Sequence, residues 1–209
     1  MKRILILIPF LSFAFSLSGQ MGEKEMVRKA FDDYKSAILN DKGNDAAKLV
    51  NSKTIKYYND VLDWVKNADS AKVESFSLLN KLMVFTVRHR ASKKDILAFD
   101  GKSLLEYAIE SGMVGKNSVA NTTIGEVEID RNFAKGQFVA NGVKAPFNVH
   151  FNKEDGQWKI DLTSLFAVST ATFEKMAADS GKNENDFLFD LLEMVTGEKP
   201  GQEIWQPVK

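Results

Sequence analysis

The stretch from Glu126 to Thr163 constrains the fold of this chain more than any other segment. Apolar and polar residues alternate through it in four runs. Val127 and Ile129 alternate with Glu126 and Glu128, and Phe138 and Ala140 with Gln137 and Val139. Phe147, Val149 and Phe151 alternate with Asn148, His150 and Asn152, and Trp158, Ile160 and Leu162 with Lys159, Asp161 and Thr163. A period of two belongs to strands that press one face on a core. Asn132, Asn141-Gly142 and Asp155-Gly156 separate the runs as hairpin turns. Connections this short leave an antiparallel meander. A two-residue turn at Asp155-Gly156 pairs Phe151 with Ile160 and Val149 with Leu162, so turn and hydrophobic pattern agree on register. The same register sets His150 opposite Asp161 on the outward face.

Helical periodicity surrounds this sheet. Met26, Ala30, Phe31, Tyr34, Ala37 and Ile38 predict an amphipathic helix over residues 22–40, stopped by Asp41-Lys42-Gly43-Asn44. A short helix follows at Ala46–Val50. A third, capped by Ser52 or Thr54, carries Ile55, Tyr58, Val61, Leu62 and Val65. Residues 73–89 read as helix in preference to strand, and another helix runs from Gly101 to about Gly112. Beyond the sheet, Phe173, Met176 and Ala177 form a stripe closed by Gly181. Phe187, Leu188, Leu191, Leu192 and Val195 form another, closed by Gly197. These stripes need an apolar surface, and the sheet and first helix are the nearest. Gly201–Lys209 reads as an extended tail. The class is therefore α+β: N-terminal helices on a curved antiparallel sheet of about four strands, with two added C-terminal helices.

The N-terminus indicates where such a domain works. Lys2 and Arg3 precede an apolar run from Ile4 to Phe15, and Ser16, Ser18 and Gly19 follow. This is the order of a secretory signal peptide, residues 1–19, and it predicts a periplasmic or secreted product. The run is shorter than the roughly 20 residues that span a bilayer. Cleavage after Gly19 leaves residues 20–209, in which 26 Lys and Arg face 28 Asp and Glu. So balanced a charge argues against nucleic acid or an acidic membrane surface as partner. With no cysteine, the fold has no disulfide and no thiolate metal site. The two histidines lie far apart, and no carboxylate spacing suits a calcium loop or a zinc helix. Neither cofactor nor metal is expected.

Two local stretches carry a family resemblance. Phe31-Asp32-Asp33-Tyr34-Lys35-Ser36-Ala37 lies in the first helix. Phe151-Asn152-Lys153-Glu154-Asp155-Gly156-Gln157-Trp158-Lys159-Ile160-Asp161-Leu162 forms the last hairpin. With the helix-then-meander order between them, they resemble the nuclear transport factor two-like superfamily, which includes ketosteroid isomerase and many exported bacterial proteins. The resemblance spans about residues 22–166 and implies a single domain shaped as a cone of sheet over helices. Relative to that core, residues 67–118 form a helical insertion and residues 169–197 a C-terminal extension. It also implies that Tyr34 stands where the isomerase has a tyrosine donating to an oxyanion. The isomerase pattern is broken at its base position, because Ile55-Lys56-Tyr57-Tyr58 supplies no carboxylate there.

No catalytic set follows from the residues. His150 with Asp161 reads as an outward surface pair, worth roughly 0–1 kcal/mol. Arg88-His89-Arg90, followed by Lys93-Lys94, has two readings, a site for an anionic group and a solvated helix end whose cations complement the dipole, and the second is preferred. The inward aromatics remain: Tyr34, Tyr58, Phe138, Phe147, Phe151 and Trp158 are the candidate lining of an apolar ligand cavity. Three functions are compatible with them. The leading one is an exported, non-enzymatic module that binds a small apolar ligand or an envelope protein. The others are an isomerase- or dehydratase-type enzyme using Tyr34, and a homodimer paired through the outer sheet face.

Overall fold

The alternating runs form four antiparallel strands in chain order: β1 (Thr122–Asp130), β2 (Phe133–Ala140), β3 (Val143–Glu154) and β4 (Gln157–Asp161). The computed structural model describes residues 22–209, so the signal segment expected over residues 1–19 lies outside them. Asn141 and Gly142 have φ of 50° and 76°, and Asp155 and Gly156 have 51° and 76°. Two consecutive left-handed residues make the tight turn whose twist matches antiparallel strands. Phe151 pairs with Ile160 as the turn requires. The expected Val149–Leu162 pair does not form. β4 stops at Asp161, whose carboxylate accepts from the Thr163 N–H at 3.0 Å and starts a 3-10 turn at Leu162–Leu165.

Two irregularities bend the sheet, as bulges do. β1 shifts register between Ile124 and Val127. There the Gly125 carbonyl accepts from Arg28 Nε and Nη2 at 3.0 and 2.7 Å. β3 shifts against β2 beside Phe138, around Pro146. The Gln137 amide spans this second shift, donating to the carbonyls of Ala145 and Phe147 at 2.5 and 3.2 Å.

The helices are α1 (Glu23–Leu39), α2 (Gly43–Lys48), α3 (Ser52–Asn67), α4 (Ser70–Glu74), α5 (Leu78–Arg90), α6 (Lys93–Ala98), α7 (Gly101–Glu110), α8 (Phe166–Ser180) and α9 (Glu184–Thr196). α1 buries Ala30, Phe31, Tyr34, Ala37 and Ile38 as its periodicity gives, with Val27 buried in place of the partly buried Met26, and lies on β1, β2 and β4. The second helix starts earlier than expected, and Leu49–Asn51 is not helical. Instead the Ile160 N–H donates to Leu49 O at 2.8 Å and the Asn51 N–H to Ile160 O at 2.9 Å. This short parallel bridge covers the edge of β4. Asn51, rather than Ser52 or Thr54, caps α3, accepting from the Thr54 N–H at 2.9 Å. The buried Thr54 hydroxyl instead accepts from the Leu162 N–H at 3.0 Å. α7 approaches α3 so closely that a β-carbon at Gly101 would lie 2.6 Å from Ile55 O and Asn59 N.

The C-terminal helices end at left-handed Gly181 and Gly197, as read from the sequence. Their main docking surface is α5; the first turn of α8 also packs on α3, where Phe166 lies 4.3 Å from Tyr57, and reaches the space between the sheet and α1 through Val168 and Ser169. Lys81 Nζ lies 3.4 Å from Glu184, the Phe85 and Phe189 rings are 6.0 Å apart, and His89 Nε2 is 3.2 Å from Thr196 Oγ1. Those three contacts run in the same direction along both helices, so α5 and α9 lie side by side and parallel. The expectation of an extended tail is also corrected. Gln202–Trp205 is a 3-10 turn with Ile204 fully buried, and Trp205 meets the buried Phe85 ring edge-on at 4.7 Å. The α5 stripe is wider than one helix covers, and the tail fills the remainder.

Trp158 anchors the closed end of the sheet. It is 4% exposed, donates from Nε1 to Glu23 at 2.6 Å, and carries Lys153 Nζ over its ring at 5.7 Å. Trp158→Ala is expected to cost about 3–5 kcal/mol in a urea melt, and Trp158→Phe distinctly less. A loss below about 1 kcal/mol for the alanine variant would contradict this placement.

Candidate functional site: two apolar cavities

The inward aromatics do not share one pocket. A cavity of about 310 Å³ lies among α3, α5, α7, α8 and α9. Its walls include Leu79, Met83 and Val87 of α5, Leu104 and Ala108 of α7, Phe173 of α8 and Leu191 of α9. Three lining residues carry polar groups: Tyr58, Thr86 and Arg90. Tyr58 is 8% exposed and lines this cavity from α3. Burial pushes its pKa up to about 12.

A second cavity, of about 250 Å³, lies between α1 and the bent sheet. Tyr34, Phe138 and Phe147 line it with Phe31, Val149, Leu165 and the first turn of α8. The Phe138 and Phe147 rings stack at 5.1 Å, and Phe31 meets Phe138 edge-on at 6.2 Å. The β3 irregularity sits at this wall, so Gln137 helps hold Phe147 there. Burial, and then the nearby Tyr58, raise the Tyr34 pKa well above the usual phenol range. Val114 borders both cavities.

Tyr34, Phe138 and Phe147 are thus brought together, and Tyr58 is assigned to the neighbouring cavity. Phe151 and Trp158 line neither. Phe151 is fully buried beneath Gly136, and Trp158 packs at the start of α1, so both are solid core. Facing inward was correctly read from their strands. Whether an inward ring meets a void or another side chain depends on what packs across from it.

The charged clusters have different roles from those expected. Arg88 is not solvated. It is 9% exposed and donates to four backbone carbonyls, those of Trp64, Val65, Ala68 and Ile204, at 2.6–3.1 Å. His89 meets Thr196, and Arg90 Nη2 donates to Ser111 O at 2.6 Å. Together the three residues grip four elements, the ends of α3 and α7, helix α9 and the C-terminal tail. The expectation that Asp161 is exposed also fails: it is 4% exposed, bonds to Thr163, and pairs with Lys53 at 3.0 Å. His150 is opposite it in register but half-buried, with its pKa lowered by burial against the opposing pull of Asp161. Neither side chain lines either of the two cavities.

Thr86 was missed by the sequence reading, and Arg90 was read only as part of the Arg88-His89-Arg90 run. Their signal was two polar residues spaced i, i+4 on the apolar stripe of α5. No group of three or more His, Asp or Glu positioned for a metal occurs among the described residues. Nor is any of their helices long and apolar enough to cross a membrane. No protein-family model, curated protein or solved structure matches the chain.

Proposed function

We propose that this protein is an exported, non-enzymatic module of the nuclear transport factor two-like type that binds a small apolar molecule in the cavity among α3, α5, α7, α8 and α9. The observation that carries the reading is the cavity itself, about 310 Å³ walled by apolar side chains of five helices, with polar groups among the described residues at Tyr58, Thr86 and Arg90. The volume is at the lower end of small-molecule sites, which run from roughly 300 to 1,000 Å³.

Binding accounts for the lining better than catalysis does. An acid–base site needs convergent groups that exchange protons near neutral pH. Among the described residues no carboxylate, histidine or lysine lines either apolar cavity, and both tyrosines are shifted away from neutrality. Export is supported by the Lys2-Arg3 start, the apolar run and the small residues after it. The family assignment is supported by the stretches around Phe31-Tyr34 and Phe151-Leu162.

Methyl-resolved NMR tests the reading with decanol as the probe. Met83 and Met113 line the cavity, whereas Met176 and Met194 are exposed on α8 and α9. Decanol is expected to shift the first pair and leave the second in place. Ala108→Phe, which fills the cavity, should abolish the shifts while the protein still melts cooperatively. Equal shifts at all four methionines, or none at Met83 and Met113, would refute the site.

A further inference from the structure

We infer that the molecule held in the helical cavity is an amphiphile with an anionic head, of the medium-chain carboxylate class, and that Arg90 receives the head. This rests on the binding role proposed above and adds the chemistry of the ligand. Arg90 is the one charged residue lining the cavity. It spends Nη2 on Ser111 O at 2.6 Å, while its own carbonyl accepts from Tyr107 at 3.1 Å. Both bonds come from the end of α7 and hold the residue at its place on the cavity wall. No carboxylate lies within 4 Å of Arg90 among the described residues, and no carboxylate lines the cavity. A guanidinium has five N–H donors in a planar fork that matches a carboxylate. Most of that capacity is unspent here.

The cavity has a direction. Its α5 wall runs from Leu79 to Arg90, about 16 Å of helix at 1.5 Å per residue. Leu79 is buried at one end, and Arg90 is partly exposed at the other. α9 runs parallel to α5, so the C-terminal ends of the two helices lie together, as His89 and Thr196 show. Val195, one residue earlier, lines the cavity and is 58% exposed. The opening is therefore at the Arg90 end. A head at Arg90 stays near water, and a saturated chain extends inward along Met83 and Leu79. Thr86, one turn before Arg90, offers a hydroxyl that has no partner among the described residues. A neutral apolar ligand leaves Arg90 unused, and an amine head places like charges together.

Calorimetric titration of the purified protein with decanoate, decanol and decylammonium, below their micellar concentrations, tests this without any variant. Decanoate is expected to bind about tenfold tighter than decanol, with decylammonium weakest. Arg90→Gln should bring decanoate down to the affinity that the same variant has for decanol, and Arg90→Lys should keep part of the preference. Decanol binding as tightly as decanoate would overturn the anionic head and leave the apolar site standing. Preference for decylammonium would reverse the sign and overturn it equally. If none of the three binds, the ligand-binding role itself fails and this inference with it.

Discussion

Truncation after Ala167 is expected to abolish the cooperative unfolding transition, rather than only lower its midpoint. The removed segment contains Phe187, Leu188, Leu192, Ala177 and Ile204, all buried. Full burial of a large apolar side chain is worth about 1.5–3 kcal/mol. Four such side chains amount to a loss comparable with the whole stability of a domain, about 5–15 kcal/mol. The cut also uncovers Phe85 by removing Phe189 and Trp205, and it opens the cavity by removing Phe173 and Leu191. Circular dichroism and calorimetry of the shortened protein decide the matter. A soluble product melting at the temperature of the longer chain would make α8, α9 and the tail an appendage, and the cavity they wall would lose its role.

Arg88→Met should be as damaging as Trp158→Ala, costing about 3–5 kcal/mol in a chemical melt. The guanidinium is buried without a carboxylate. Its partners Trp64, Val65 and Ala68 are carbonyls at the end of α3, and Ile204 O belongs to the docked tail. The negative end of the α3 dipole offsets the desolvation of the charge, and two of its carbonyls are shared, Trp64 O also accepting from the Ala68 N–H at 2.9 Å and Val65 O from the Val208 N–H at 3.2 Å. Burial lowers the Arg88 pKa to about 10, so it remains protonated at neutral pH. Methionine keeps much of the volume and leaves four carbonyls without that donor. Lysine keeps the charge, but one ammonium cannot reproduce the fork, so Arg88→Lys should fall between wild type and Arg88→Met. A loss below about 1 kcal/mol for the methionine variant would mean that water replaces the guanidinium at no cost.

Part of the candidate site was legible before any coordinates. The β2 and β3 alternation turned Phe138 and Phe147 inward, and the α1 stripe turned Tyr34 toward them; all three line one cavity. The same reasoning placed Phe151 and Trp158 with them, where the structure has solid packing. Tyr58 was chosen correctly as a buried aromatic, but its cavity is walled by α8 and α9, whose docking on α5 could not be read from their stripes. Arg90 was grouped with Arg88 as one basic run. Yet one turn of α5 carries Arg88 into the core and Arg90 to the cavity wall.

The sequence by itself determined what depends on neighbours a few residues away. These are the left-handed hairpins at Asn141-Gly142 and Asp155-Gly156, the Phe151–Ile160 register, the buried face of α1, and the stops at Gly181 and Gly197. Such features follow from backbone sterics and side-chain period, which act within a turn or a strand pair. The tertiary structure alone decided where charge and empty space lie. It buried Arg88 against the end of α3, drew Asp161 into a cap, folded the tail over Phe85, and divided the aromatics between two cavities. The cost of burying a charge, and the existence of a void, depend on groups distant in the chain that arrive only when the helices pack.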